Sequence, residues 1–350
     1  MEVAIIAHAG RNGYGGIAKY CDHFILGLNQ IKSINKINIF SRTDVGNKKK
    51  NYNYFYKNKI IFFLITNISL LISSKIQIIF VSHINLLPCA LLAIFKGKKV
   101  ILLTYGLEIW GFKKNFIYRW IIKEINFFIC MREYTKKILI KKYNLKNKFI
   151  FDLHNAIKFR NLKINYKNSK DLITVARLDS SEKYKGVDET LEILSKFKKV
   201  NFKYHIIGDG DDKMRLISKA KKLSCFKNII FHGKVSDKKR NFLLNSSHIM
   251  VMPGSDKTFD TYPFRFSFLE AAEFGLHIIG SDPPNMKEKT YQHNYSSLNF
   301  IKSKNKHDFI NLIRKLQRKR KKKDVKLQKD FSLKKFNTNL RNIIIQIITK

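Results

Sequence analysis

Short runs of apolar residues alternate along this chain with longer stretches in which apolar positions recur at helical spacing. "VAIIA" (3–7) leads through a glycine turn into "IAKYCDHFILGLNQ", and "IQIIFVS" (76–82) and "KVILLTYG" (99–106) continue the series. A second series opens at "DLITVARL" (171–178) and runs through "KYHIIGDG" (203–210), "NIIFHG" (228–233), "HIMVMPG" (248–254) and "LHIIGSD" (276–282). Strands separated by roughly 10–20 helical residues predict parallel βαβ units, an α/β class. Two such series predict two doubly wound domains, joined near "NLKINYKNSK" (161–170), a polar stretch that reads as a linker. "NKKKNYNYFYKNK" (47–59) reads as an exposed basic loop inside the first domain. Open α/β sheets bind ligands beyond the carboxyl ends of their strands, which predicts a site in a cleft between the two domains.

One region, Ile60 to Phe95, is apolar enough to suggest a membrane span. It is interrupted by Asn67, Lys75, Gln77, His83, Asn85 and Pro88, so no clean run of about 20 apolar residues exists. The pattern predicts a buried helix, a strand over "IQIIFVS" and a second buried helix over "LLPCALLAIF". The N-terminal "MEVAIIAHAGRNGYGG" has no basic leader and reads as a first strand rather than a signal peptide.

Composition changes the picture in one respect. At 350 residues, with 45% apolar content, the chain suits a pair of globular domains. Its charge is unusual: 68 Lys+Arg against 26 Asp+Glu give +42. Codon bias toward A/T accounts for part of the lysine, but a surface this positive attracts anions such as nucleotide diphosphates, anionic headgroups or nucleic acid. Cys21, Cys89, Cys130 and Cys225 are scattered without a C-x-x-C pair. They suggest neither a disulfide framework nor a zinc site, and fit a reducing cytoplasm.

Four stretches carry candidate chemistry. In "GRNGYGGIAKY" (10–20), Gly15 and Gly16 fall between strand and helix, where backbone amides can approach a phosphate. In "VARLDSSEKYKGVDETLEIL" (175–194), Arg177 closes a strand and Lys185 precedes Gly186 and a helix. Two cations flanking such a loop can clamp a diphosphate through charge-assisted hydrogen bonds. "IIGDGDDKMRL" (206–216) places Gly208 and Gly210 in a strand-ending turn that flexible backbone alone would explain. In "YPFRFSFLEAAEFG" (262–275), Glu270 reads as lying early in a helix. There it could accept hydrogen bonds from a ribose diol, or simply satisfy the helix dipole.

Taken together, "GYGGIAKY", "HINLLPCALLA", "TYGLEIW", "REYTKKIL", "HNAI", "ARLDSSEKYKG", "GDGDDKMRL" and "FLEAAEFGLHIIGSD" resemble, in order and approximate spacing, the GT-B family-4 glycosyltransferases over most of the chain. The resemblance implies two Rossmann-like domains facing a central cleft. They are expected as an acceptor domain over 1–165, a nucleotide-sugar domain over 166–328 and a terminal helix over 329–350 returning to the first domain. It implies transfer of a glycosyl unit from a nucleoside-diphosphate sugar to an acceptor hydroxyl, with retention and without a metal or other cofactor. Within it, Gly15 and Gly16 correspond to the turn against the donor diphosphate, and Arg177 and Lys185 to the pair neutralising it. Glu270 corresponds to the ribose carboxylate, and Gly208 and Gly210 to the turn beside the base.

The chain departs from the family pattern at two places. The first of the family's two glutamates falls on Tyr262, followed by Pro263, and Arg265 replaces a small residue. Where the family often has His-Gly this chain has Tyr105-Gly106; Tyr105 keeps a hydrogen-bonding tip but cannot share a proton near neutral pH, and its hydroxyl is taken as a catalytic candidate beside Arg177, Lys185 and Glu270. Three readings are open: drift around an intact Glu270, retuned donor recognition with Asp260 supplying the carboxylate and Arg265 a phosphate contact, or loss of catalysis with retained binding; the last would suit a non-catalytic subunit that supports a partner enzyme. The second is preferred, because Arg177, Lys185, Gly186 and Glu270 stay in place.

The basic stretches bear on partners. "RKLQRKRKKKDVK" (314–326) has eight basic residues among positions 314–323. "FKKNFIYRWIIKE" (112–124) interleaves cations with Phe116, Ile117, Trp120 and Ile121, which suits either an interfacial helix or an ordinary amphipathic core helix. The expected partners are a nucleotide sugar, a glycan or lipid-linked glycan acceptor and an anionic membrane surface, with the protein peripheral on its cytoplasmic side. A nucleic-acid-binding protein is the alternative that charge alone would support, but the chain has no helix-turn-helix, zinc-finger or RNP signature.

Overall fold

The apolar runs fold as parallel strands. A computed structural model describes residues 1–7, 15–42, 51–110, 116–164, 169–197, 200–254, 265–281, 294–301 and 306–350. By internal contacts the chain forms two compact units, Met1–Ala156 with Leu333–Lys350, and Ile157–Ser332.

Unit 1 is built on strands β1 (Glu2–Ala7), β2 (Lys36–Ser41), β3 (Asn51–Phe55), β4 (Ile76–Val81), β5 (Lys99–Thr104), β6 (Phe127–Cys130) and β7 (Phe149–Asp152). Their order is β3-β2-β1-β4-β5-β6-β7 and every pairing is parallel. The order reverses direction beside β1. Right-handed crossovers therefore put α1 (Gly16–Leu28) on one face, and α2 (Lys59–Ile72), α3 (Leu91–Phe95), α4 (Leu107–Trp110), α5 (Phe116–Glu124) and α6 (Glu133–Tyr143) on the other. Helix Leu333–Thr349 buries Phe336, Leu340, Ile343, Ile344 and Ile347 along one stripe. It packs on α1 at Gly27, where a Cβ would lie 2.7 Å from Leu340 Cδ2.

Two expectations for this unit are corrected. Part of the stretch read as an exposed basic loop is a strand: residues 51–55 pair with β2 from Ile37↔Asn51 to Ser41↔Phe55. Tyr54 stacks on Phe40 at 4.7 Å between ring centroids, so an edge strand with polar alternation had the composition of a loop. The helix expected to be buried, α2, buries Phe62, Thr66, Asn67 and Leu70 only and leaves a row of large apolar side chains in solvent. The second apolar stretch begins as a 3-10 turn over Ile84–Ala90, which contains Pro88, and becomes α-helical only at α3. Among the described residues no helix is long and apolar enough to cross a membrane.

Unit 2 carries β8 (Leu172–Val175), β9 (Tyr204–Ile207), β10 (Ile229–Gly233), β11 (Ile249–Met252), β12 (His277–Ser281) and β13 (Leu298–Ile301), in the order β10-β9-β8-β11-β12-β13, again parallel. Its helices include α7 (Val187–Leu194), α8 (Lys213–Lys221), α9 (Asp237–Ser246) and α10 (Phe266–Glu273). The stretch read as a linker begins inside this unit. Ile157 bridges to Ser332, Ile164 is buried, and Gln317 donates to the Lys170 carbonyl at 2.8 Å.

Each unit holds a histidine whose charged form is disfavoured. His23 in unit 1 and His277 in unit 2 are both pushed down to about 4, chiefly by burial, with Lys19 beside the first and His248 and Lys319 beside the second. A folded-state pKa below the unfolded value of about 6.5 means that the folded protein resists protonation. Stability is therefore fully present above pH 6.5 and is lost as pH falls toward 4, by about 3 kcal/mol per histidine at pH 4. Urea unfolding at pH 7 and pH 4.5 should show this loss, and His277→Gln should reduce the acid shift of the unit 2 transition. An unchanged acid shift in that variant would assign the effect to the carboxylates.

Candidate functional site

The site in unit 2 grows from the exits of β8 and β9. Beyond them the two chains stay in register: Ala176 N donates to Ile207 O, Leu178 N to Asp209 O and Asp212 N to Leu178 O, each at 3.0 Å. That approach leaves no room for side chains. A Cβ on Gly208 would lie 1.7 Å from the Ala176 carbonyl oxygen, and one on Gly210 would lie 2.1 Å from that of Leu178. The Gly-Asp-Gly turn thus owes its glycines to backbone packing. Its carboxylates hold local structure as well, Asp209 accepting from Gly210 N and Lys213, and Asp211 from Ser180 N and Oγ.

The packed turn holds the segment carrying the predicted cations. Asp179 accepts from Ser181 N and opens a 3-10 turn over Ser180–Lys185. Gly186 ends it at φ 83°, where a Cβ would meet Gly254 N at 2.5 Å and Pro253 Cδ at 2.8 Å. Glycine there lets α7 begin directly against the exit of β11. Arg177 extends over this turn, its Nε 3.2 Å from Glu182 Oε2 and its Nη2 closer still on Oε1. Glu182, the leading cause, holds Arg177 still more firmly protonated. Both cations border a surface recess with Asp179, Lys183 and Asp188.

Tyr184, which sequence reasoning passed over, is the hub. Its buried ring has Lys185 Nζ at 4.8 Å and the Arg265 guanidinium carbon at 5.9 Å from its centroid, and it lies within electrostatic reach of Arg177. Arg265 immediately precedes α10, and its Nε and Nη1 are buried with no hydrogen-bond partner among the described residues. Buried guanidinium donors without a partner are costly.

Glu270 lies in the second turn of α10, whose first turn carries no acidic residue. The reading of Glu270 as a first-turn residue serving the helix dipole is therefore set aside. Its side chain is 15% exposed, and Oε2 is 3.8 Å from Arg240 Nε on α9. Sequence reasoning missed Arg240, since one arginine in so basic a chain carries no signal. One turn further on, Glu273 is 3% exposed and accepts from Arg160 N, Nε and Nη2 at 2.6, 3.0 and 2.7 Å, which anchors α10 to the start of the unit. Arg177, Lys185, Gly208, Gly210, Arg265 and Glu270 all follow the carboxyl ends of β8, β9 and β11, which are neighbours in the sheet. Asp260, Tyr262 and Pro263 lie outside the described residues.

Three predicted residues belong to unit 1. Gly15 precedes α1 at φ 108° with open space around its Cβ position, so conformation rather than contact calls for glycine. Gly15 and Gly16 are exposed at the helix N-terminus. Tyr105 is 4% exposed. Its hydroxyl is 3.4 Å from Cys21 Sγ, and its ring meets that of Tyr20 edge-on at 5.4 Å. Burial raises the phenol far above its ordinary range, so the hydroxyl assigned to the reaction is packed within this unit. Glu108 accepts from the backbone N–H groups of Tyr105 and Gly106 and fixes the turn between them.

A profile of the family described as "Glycosyl transferases group 1" matches residues 155–332. Comparison with curated protein sequences gives no significant match. Solved structures match nearly end to end. The lipopolysaccharide outer core galactosyltransferase WaaB in its apo form is 17% identical with a TM-score of 0.74, over 99% of each chain. A glycosyltransferase from Rickettsia africae ESF-5 is 15% identical with a TM-score of 0.76, over 100% of this chain and 99% of that one. Anabaena Alr3699/HepE in complex with UDP-glucose is 12% identical with a TM-score of 0.75, over 99% and 100%. At these identities the likeness is one of fold, the two-unit α/β architecture called GT-B.

Proposed function

Because this chain belongs to the group 1 glycosyl transferases, we propose that it is a retaining, metal-independent glycosyltransferase. It would move a glycosyl unit from a nucleoside-diphosphate sugar to an acceptor hydroxyl in the assembly of a cell-surface polysaccharide or lipopolysaccharide. The observation that carries the reading is the set of cations around Tyr184, with two buried N–H groups of Arg265 that have no hydrogen-bond partner among the described residues. As the bond from the anomeric carbon to the diphosphate breaks, its electrons pass to the leaving group. Arg177, Lys185 and Arg265 meet that charge in place, an electrostatic contribution of several kcal/mol. Glu182 keeps Arg177 extended and ordered before the donor arrives, and the diphosphate then competes with it for the guanidinium. Glu270 accepts the ribose hydroxyls, and Arg240 orients its carboxylate. Gly15 and Gly16, exposed at the start of α1, offer backbone amides to an anion. Tyr105 positions the Tyr105-Gly106 turn rather than exchanging a proton.

UDP-glucose is bound by one structural neighbour, so UDP-sugars head a thermal-shift screen of nucleotide sugars, with transfer then assayed using the best binder. The anomeric proton coupling of the product reports retention, and activity after exhaustive chelation tests the metal requirement. Glu270→Ala is expected to weaken nucleoside-diphosphate binding about 10–100-fold, the loss of hydrogen bonds to a charged group. Asp260→Ala is expected to lower turnover with a smaller change in binding. If Asp260→Ala leaves turnover untouched while Glu270→Ala abolishes it, Asp260 does not replace the carboxylate absent at Tyr262. Donor binding without turnover, rescued by a co-expressed protein, would make the chain a non-catalytic partner subunit instead.

A further inference from the structure

The outer face of α2 has no use in the reaction described above. Ile60, Ile61, Phe63, Leu64, Ile68 and Ile72 are all exposed, Ile60 by 68% and Ile72 by 72%. Past Lys59 every exposed residue of this helix is apolar, and residues 60, 64, 68 and 72 form one line at the i, i+4 spacing. A water-facing helix normally carries its polar residues on that side. Here the polar residues Thr66 and Asn67 are buried instead.

The helix is held firmly in that orientation. Asn58 caps its start, accepting from Ile60 N and Ile61 N. Asn67 donates to the Pro88 carbonyl and accepts from Leu92 N. Lys98 donates to the carbonyls of Leu70 and Ser73, and Lys96 to that of Leu71, which ties down the other end. The apolar surface continues onto neighbouring elements of the same sheet face. Phe95, 65% exposed at the end of α3, packs on Trp120 of α5 at 5.4 Å, and Phe116 and Ile117 at the start of α5 are exposed as well.

Charge identifies the occupant. From Val45 to Leu107 the sequence contains nine lysines and no acidic residue. Lys57 and Lys59 precede the apolar line and Lys75 follows it, all exposed. A second copy of this chain meeting the face across a two-fold axis would bring these lysines against one another. A surface uniformly negative above an apolar interior suits both parts at once. With 14 residues, about 21 Å at helical rise, α2 is too short to span a bilayer and long enough to lie in its interface.

We infer that the α2 face of unit 1, extended by Phe95, Phe116 and Ile117, is a docking surface for an anionic lipid bilayer, with α2 lying in the headgroup plane. The inference stands independently of the transfer reaction. Its test uses the full-length protein and co-sedimentation with vesicles of phosphatidylcholine alone or with 30 mol% phosphatidylglycerol. Expected is binding to the anionic vesicles, weakened at least tenfold by Leu64→Glu/Ile68→Glu and also by the uncharged Leu64→Asn/Ile68→Asn. Val325→Glu, an equally exposed apolar position in unit 2, should bind like the wild type. Both double variants alter exposed side chains only, so their thermal melts should match the wild type. A double variant that melts normally and still sediments fully overturns the inference, as does equal binding to both kinds of vesicle. Self-association abolished by the same substitutions, with no vesicle binding, would assign the face to a second copy and overturn it equally.

Discussion

Alanine at Arg177 or at Lys185 is expected to reduce kcat/KM for glycosyl transfer about 10²–10³-fold, the scale of removing one preorganised group from a developing charge. The double variant should lose less than the product of the single losses, because both cations act on one diphosphate. Binding of the free nucleoside diphosphate should weaken in each variant whatever the base, since neither side chain is assigned to the base. Measured kcat/KM with the best donor, alongside calorimetric binding of the diphosphate, separates leaving-group stabilisation from simple affinity. A double variant within threefold of wild type would remove these residues from the reaction. The two positions should also differ in a conservative test. Arg177 makes two hydrogen bonds to one carboxylate, a fork that lysine cannot reproduce. Lys185 lies against an aromatic ring as a point charge, so Lys185→Arg should be tolerated better than Arg177→Lys.

Gly208→Ala is expected to be the most destabilising single substitution considered, costing about 4 kcal/mol or more. The added carbon would sit 1.7 Å from the Ala176 carbonyl oxygen at φ 146°. Relief requires separating the exits of β8 and β9, which breaks the bonds from Ala176 N and Leu178 N and displaces the loop bearing Arg177. Gly15→Ala is the matched control. Its φ of 108° is also unfavourable, but nothing lies within 4 Å of the new carbon, so about 1–2 kcal/mol of backbone strain is all it should cost. Urea unfolding of the two variants distinguishes a turn that merely needs flexible backbone from one shaped by contact. Equal losses would mean that the β8–β9 exits are packed more loosely than a 1.7 Å approach requires.

The site was only partly legible beforehand. Arg177, Lys185 and Glu270 stood out because each follows an apolar run and opens onto a helix, and the strands that place them at one end of the sheet are those with the strongest apolar runs. Tyr184 and Glu182 sat within the same quoted stretch and passed unnoticed. Nothing in a side chain's identity shows that two cations will pack against one ring, or that a neighbouring glutamate will hold one of them. Gly208 and Gly210 were visible as glycines, but whether a glycine serves flexibility or close approach depends on what lies opposite, and Ala176 and Leu178 are some 30 residues away in the chain.

From the sequence alone come the parallel α/β class, the two series of strands and the family resemblance, because all three reside in local order: the alternation of periods and the succession of motifs. Burial is a different kind of property. The α2 segment is apolar nearly all round, and such a helix reads as buried until the elements beside it are counted. Only the tertiary structure shows that α3 and the sheet cover one side and leave the other in water. The same reason buries the Tyr105 hydroxyl beside Cys21 and sets Glu270 beyond the first turn of α10. The sequence supplies side chains and their spacing, whereas exposure, and hence what each group can touch, is decided by contacts between residues far apart in the chain.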